Sequence, residues 1–224
     1  MPNGPKNKPR TPMEMIETLQ SRIAAGARSY RMATVRYLMR PPLSLRPKYA
    51  AFLLDLANQS DHTAEVLGRA AERATDEQIA AVLRHHHREE RNRFQLALQD
   101  LRRLGYADQL PDRQMTTGDA ALRAYCTTLS YERPTAMLGV VLMILGVAGD
   151  VGSTIIRLLG VGSVPREAMR WLQVRTEEDP KALRELLQQL AELVRDPADQ
   201  AAILEAAEVT GELLALGAAA RPSL

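Results

Sequence analysis

Cysteine is all but missing from this sequence: Cys126 stands alone among 224 residues. A single cysteine excludes an intramolecular disulfide and any thiolate-rich metal site, and it suits a reducing compartment. Aromatic side chains are scarce, with two Phe and one Trp, so the core has to be built from aliphatic residues. Neither sign of charge is in excess. The formal net charge is +2, which gives no general pull toward nucleic acid. The most apolar run, Met137 to Ala148, falls short of the roughly 18 residues a membrane span needs. No basic stretch leading into an apolar run opens the sequence, so no secretion signal is expected and the protein reads as cytoplasmic. Alternating β-branched segments and Asn-Gly hairpin turns are also wanting.

What is abundant is Leu, Ala, Arg and Glu, all good helix formers. Lys6, Lys8 and Arg10 lie among prolines with no acid nearby, so residues 1–12 read as a solvated basic tail, and 13–220 as one helical domain. A first helix is expected from about Met13 to Met39, stopped by Pro41 and Pro42, and a second from after Ser44 to Ala74. Thr75 and Gln78 form a capping-box pattern ahead of a third helix that stops at Gly105. Asp119 opens a fourth, ending near Ser130, and Pro134 a fifth, running to Leu159. Ser163 with Pro165, Asp179 with Pro180, and Asp196 with Pro197 repeat a cap-then-proline signature and predict three last helices. Short connections and the absence of any linker predict one all-α bundle of about seven to eight helices.

The fifth helix is apolar nearly all round, so it should lie at the centre. Gly139, Gly146, Gly149 and Gly152 each weaken it by about 1 kcal/mol relative to Ala. They therefore imply close approach, either by a neighbouring helix or by a ligand lying across them. Asp150 is a lone acid there, directed either to a surface or to an interior cavity.

The third helix carries the strongest signal. At about 100° per residue, Ile79, Leu83, His86, Glu90, Arg93, Ala97, Leu101 and Leu104 fall within roughly 40° of one line. The stripe is apolar at both ends and polar in the middle. A buried carboxylate without a partner costs several kcal/mol, so Glu90 is either paired with Arg93 at (i, i+3) or part of a polar pocket in the bundle, where cofactor and metal sites are common. Of the run His85, His86 and His87, only His86 joins the stripe, because successive helical positions point apart. His62 reads as a surface histidine, and Ser60 and Thr63 lie on the buried face of the second helix. No nucleophile motif, phosphate-cradling glycine loop or dinucleotide fingerprint is present.

Over about residues 43 to 217 the sequence resembles the haem-oxygenase-like superfamily, in particular its iron-containing oxidase and oxygenase branch. The resemblance is carried by LSLRPKYAAFL at 43–53, HREERNRF at 87–94, Asp100 to Gly105, PTAMLG at 134–139, EEDP at 177–180 and DPADQAAI at 196–203. It implies a bundle of seven or so helices with an iron site. The family's Glu-x-x-His pattern falls on Glu90 and Arg93, and its central-helix glutamate on Leu145, before Gly146. Its late Asp-x-x-His falls on Asp179 and Ala182, and a further histidine on Arg175. Several expected ligands are thus side chains that do not bind iron. Arg93 and Arg175 would supply the positive charge that a metal otherwise gives Glu90 and Asp179. Haem oxygenases are similar in their glycine-rich distal helix, like Gly149-Asp150-Val151-Gly152, but no histidine precedes His62 to serve as a proximal ligand.

The reading that follows is a haem-oxygenase-like protein that has lost its iron site. It binds a small molecule in an internal polar pocket, or serves as an accessory or metal-independent protein, with no cofactor. Its pocket or ion-pair network comprises His86, Glu90, Arg93, Leu145, Gly146, Gly149, Asp150, Arg175 and Asp179. One alternative is an iron-dependent oxidase or oxygenase with the ligand set His86, Glu90, Asp150 and Asp179. Another is a purely structural or oligomerisation module with a filled core at Gly146 and Gly149. The expected partner is a small molecule rather than nucleic acid or a membrane, with a homodimer or a partner protein left open.

Overall fold

In the computed structural model, residues 11–41, 43–106, 115–161 and 164–221 are described. They form seven α-helices: α1 (Pro12–Met39), α2 (Leu45–Arg73), α3 (Glu77–Arg103), α4 (Thr117–Glu132), α5 (Met137–Val161), α6 (Arg170–Leu193) and α7 (Pro197–Ala220). Single 3-10 turns at Pro134–Ala136 and Arg166–Ala168 precede α5 and α6. There is no strand among the described residues. Residues 1–10, most of the basic tail read from the sequence, and Ser163 lie outside them.

The helix starts follow the capping chemistry with instructive shifts. Thr11 and Glu14 make a reciprocal capping box with Pro12 in the first turn, so α1 begins a residue before the expected Met13. The cap of α3 is Asp76 rather than Thr75: its carboxylate accepts from Gln78 N at 2.8 Å and Ile79 N at 3.1 Å. A charged acceptor suits a helix N-terminus better than a hydroxyl. The cap of α4 is Thr116, with Asp119 in the first turn instead of before it. α3 ends as expected at Gly105, whose φ of +76° closes the helix while Tyr106 N bonds back to the Leu101 carbonyl.

Asp179-Pro180 does not start a helix; both residues lie inside α6. Proline lacks the N–H that would bond the Thr176 carbonyl, a local cost to the helix. The ring finds its place against Gly149 of α5, where a Cβ would sit 2.9 Å from the Pro180 Cγ. Two of the three expected last helices therefore merge into one.

α5 lies in the middle, packed against α1, α6 and α7, and all of its first eleven residues are buried. Over Pro134–Val161 it is long and apolar enough by composition to cross a membrane, with a mean hydropathy of 1.9 in its most apolar window. That is longer than the Met137–Ala148 run suggested, but most of the window is buried inside the bundle. Four of its glycines, Gly139, Gly146, Gly149 and Gly152, are closed by neighbouring helices. A Cβ on Gly139 would meet the Ile203 carbonyl at 2.2 Å, on Gly146 the Ile23 Cγ2 at 2.1 Å, and on Gly152 the Thr176 Oγ1 at 1.9 Å. Helix packing, not a ligand, explains them. α2 pairs with α3, α3 crosses to α6, and α4 lies against α2 and α7. One apolar core draws on all seven helices.

Candidate functional site

α3 and α6 run antiparallel where they meet, with Asp100 bonded to Trp171 N and His86 lining a groove with Ala182. That register brings the polar middle of the α3 stripe against the middle of α6. Arg93 Nη1 donates to Glu90 Oε1 at 2.6 Å and its Nη2 to Asp179 Oδ1 at 2.5 Å. Arg175 Nη1 donates to the same Glu90 Oε1 at 3.0 Å, and its Nε lies 3.2 Å from Asp179 Oδ2. Two guanidinium groups and two carboxylates thus alternate in a closed ring with no net charge. All four side chains are at most 6% exposed. Arg175 also stacks over Trp171, its guanidinium carbon 5.0 Å from the ring centre.

The two carboxylates titrate apart. Burial pushes Glu90 up, but the Arg175 and Arg93 charges, with hydrogen bonds from Ser60 and Arg93, outweigh it and hold it near about 2. At Asp179 burial prevails over the same two arginines, and the carboxyl is pushed up to about 6. His86 sits beside the ring with its Nδ1 buried and without a hydrogen-bond partner. Burial first, then the charges of His85 and Arg93, lowers it to about 4, so it is a neutral imidazole at physiological pH.

The sequence-predicted residues divide into two groups. His86, Glu90, Arg93, Arg175 and Asp179 come together, with Leu145 closing the ring from α5. Asp150 does not join them. It is exposed and pairs with Arg31 of α1 at 2.9 Å, on the side of α5 that faces away from Glu90. Gly149 is closed by Pro180 and Gly146 by Ile23; Gly146 and Asp150 border an open groove of about 420 Å³ between α1, α5 and α6, separate from the ring. The void bounded by Thr63, His86, Glu90, Arg93 and Leu145 measures about 10 Å³, at the lower limit for one water molecule. A second void beside Arg175 and Trp171 measures about 30 Å³. The expected internal pocket is therefore too small for an organic ligand.

His62 is only partly exposed. It is half-buried between α2 and α4, its Nε2 3.2 Å from the Arg123 carbonyl oxygen. His85 is exposed, whereas His87 reaches the Ala64 carbonyl at 2.7 Å. Sequence reasoning missed the charges buried outside the ring, which include Lys48, Asp100 and Arg221. Arg221 makes the most contacts with aromatic rings. It bonds Asp55 at 3.0 Å and lies over the rings of Tyr30, Tyr37 and Phe52.

Iron does not fit this donor set. At the positions of the ligands the resemblance implies stand Arg93, Leu145, Arg175 and Ala182. Glu90 and Asp179 are each already neutralised by two guanidiniums, which would repel an incoming cation. Among the described residues no three His, Cys, Asp or Glu side chains converge as a metal set. The set His86, Glu90, Asp150 and Asp179 does not assemble, because Asp150 lies elsewhere. Haem does not fit either. All four histidines lie on α2 and α3, and the space over Gly149 and Gly152 is taken by Pro180 and Thr176.

This arrangement of helices is the haem-oxygenase-like fold. The chain is similar to a crystal structure from Shewanella denitrificans, described as a domain of unknown function with a heme oxygenase-like fold. The TM-score is 0.72 at 18% sequence identity, covering 88% of this chain and 87% of that one. No protein-family model and no curated protein matches the sequence.

Proposed function

We propose that this protein is a metal-independent, cytoplasmic member of the haem-oxygenase-like group that acts as a small-molecule binding or accessory protein. The observation that carries this reading is the neutral ring of Glu90, Arg93, Arg175 and Asp179 at the place where the resemblance puts an iron site. A ring whose two guanidiniums balance its two carboxylates holds α3 to α6 without a cation. The same ring argues against an oxidase or oxygenase function that depends on iron at these residues.

The test is anaerobic loading of the full chain with iron(II), followed by desalting and elemental analysis. Metal well below one ion per chain is expected, unchanged by Glu90→Gln. One or two tightly held irons, lost on Glu90→Gln, would overturn the reading.

A purely structural module is the second reading, favoured by the close packing at Gly146 and Gly149. A half-enclosed cavity of about 200 Å³ between α2 and α4, lined by His62, Asp119 and Arg123 among others, favours the first. Light scattering over a concentration series separates them from the other side: a structural module assembles into a defined oligomer, a binding protein has no need to.

A further inference from the structure

The interior is full, but the outer face between α2 and α4 is not. These two helices run in the same direction. Arg123 Nη2 donates to the Asn58 carbonyl at 2.8 Å, and further along Arg69 reaches Ser130 at 3.4 Å and Arg73 the Tyr131 carbonyl at 3.2 Å. Asp55 therefore lies level with Asp119, and His62 and Thr63 with Arg123 and Cys126. Between the helices is a half-enclosed cavity of about 200 Å³ with Leu122, Cys126 and Ile144 among its lining residues. At roughly 30 Å³ per water molecule it has room for about six waters, or one molecule of about ten non-hydrogen atoms.

The charges lining this cavity are held apart. Asp119 and Arg123 stand one turn apart on α4, a spacing at which an acid and an arginine ordinarily meet. Here they do not. Asp119 accepts from the Thr116 hydroxyl at 2.6 Å, and Arg123 makes no ion pair among the described residues, its guanidinium being directed to the Asn58 carbonyl. His62 and Cys126 add no charge at neutral pH, since burial lowers the imidazole and pushes the thiol up to about 12. Thr63 lines both this cavity and the void beside Glu90, and Gln59 lines both this cavity and the void beside Arg175. Asp55 lines the cavity too, but its carboxylate is already bonded to Arg221 at 3.0 Å, which leaves Asp119 and Arg123 as the separated charges, beside uncharged donors and acceptors and an apolar patch. Separated charges of opposite sign complement a molecule that carries both.

The geometry points to a binding site for a free α-amino acid in the α2–α4 cavity, with its ammonium group at Asp119, its carboxylate at Arg123 and its side chain against Leu122, Cys126 and Ile144. Guanidinium suits a carboxylate through paired donors. The proposal rests on the small-molecule reading above and is independent of the metal question.

Calorimetric titration of the full chain with each proteinogenic amino acid tests it, alongside the matching amine without the carboxylate and the N-acetylated form. At least one amino acid should bind, with both analogues weaker by about tenfold or more, the scale of a lost hydrogen bond to a charged group. Arg123→Gln should weaken binding by a similar factor, while Arg184→Gln, on the far side of the bundle, should leave it unchanged. Failure of every amino acid to bind overturns the proposal, as does equal binding of the N-acetylated form. Binding of the amine alone overturns the ligand class and keeps the small-molecule reading. Should Arg123→Gln not fold by circular dichroism, the analogue series on the unaltered chain decides. Iron uptake in the loading experiment, with amino-acid binding intact, would sink the metal-free reading and leave this one standing.

Discussion

Arg93 Nη2 lies 2.5 Å from Asp179 Oδ1, an ion pair that joins α3 to α6 across 86 residues of chain. The same arginine holds Glu90 one turn earlier on its own helix. Its position is thus fixed by one local and one distant carboxylate. Removing any member strands a buried charge, which is worse than never having buried the pair.

Arg93→Met should therefore destabilise the protein by about 3–5 kcal/mol, the range for breaking a buried ion pair from one side. Replacing the whole ring with apolar residues (Glu90→Leu, Arg93→Met, Arg175→Met and Asp179→Leu together) should recover most of that loss. Urea denaturation followed by far-UV circular dichroism measures both. A quadruple variant less stable than the single one would show that the ring contributes more than its own desolvation.

Stability against pH should separate His86 from Asp179. The His86 pKa is lowered from 6.5 to about 4, so the folded state binds fewer protons there and loses stability as pH falls through that window. The Asp179 pKa is raised from 3.8 to about 6, so its contribution has the opposite sign: stability falls as pH rises from about 4 to 6. His86→Gln should gain on the unaltered chain as pH drops from 6.5 to 4, and Asp179→Asn should lose ground over nearly the same range. Parallel melting curves across that window for all three proteins would contradict both assignments.

The glycines of α5 offer a steric test. In Gly152→Ala the new methyl would fall 1.9 Å from Thr176 Oγ1, whose hydroxyl is bonded to the Leu172 carbonyl at 2.7 Å. A loss of about 1–3 kcal/mol is expected from such overpacking, relieved in part by a second change, Thr176→Ala. Gly160→Ala meets nothing within 4 Å and should stabilise by up to about 1 kcal/mol through helix propensity alone. Thermal melts of the three variants report the order directly.

Arg221→Ala should cost about 3 kcal/mol or more, because it removes the bond to Asp55 and a cation stacked on three aromatic rings. Arg221→Lys keeps the charge but not the planar fork, and should recover only part. A chemical denaturation midpoint unchanged in Arg221→Ala would remove this cluster from the account of stability.

The helical class, most helix ends to within a few residues and the polar stripe on α3 were legible because they depend on neighbours within one or two turns. Ile79, Leu83, His86, Glu90, Arg93 and Leu101 share a face by periodicity alone, and all are buried. Ser60 and Thr63 were placed correctly on the inner face of α2 for the same reason. Asp179-Pro180 misled because a cap followed by proline opens most helices in which it occurs. Whether proline is instead tolerated inside a helix depends on a facing gap, here Gly149 of α5. His62 misled because the helix that covers it, α4, lies some sixty positions away.

By itself the amino-acid order determined which segments are helical, which face of each is apolar and where Glu90 would be buried, since all of these follow from short-range spacing and capping. Only the tertiary structure decided that Arg93 and Arg175 share both carboxylates, that Asp150 turns out to Arg31, and that the larger cavities, the one between α2 and α4 among them, open at the surface rather than beside Glu90. The physical reason is that charge pairing and cavity shape depend on which helix lies opposite. That choice is made by the packing of the whole core and leaves no local trace.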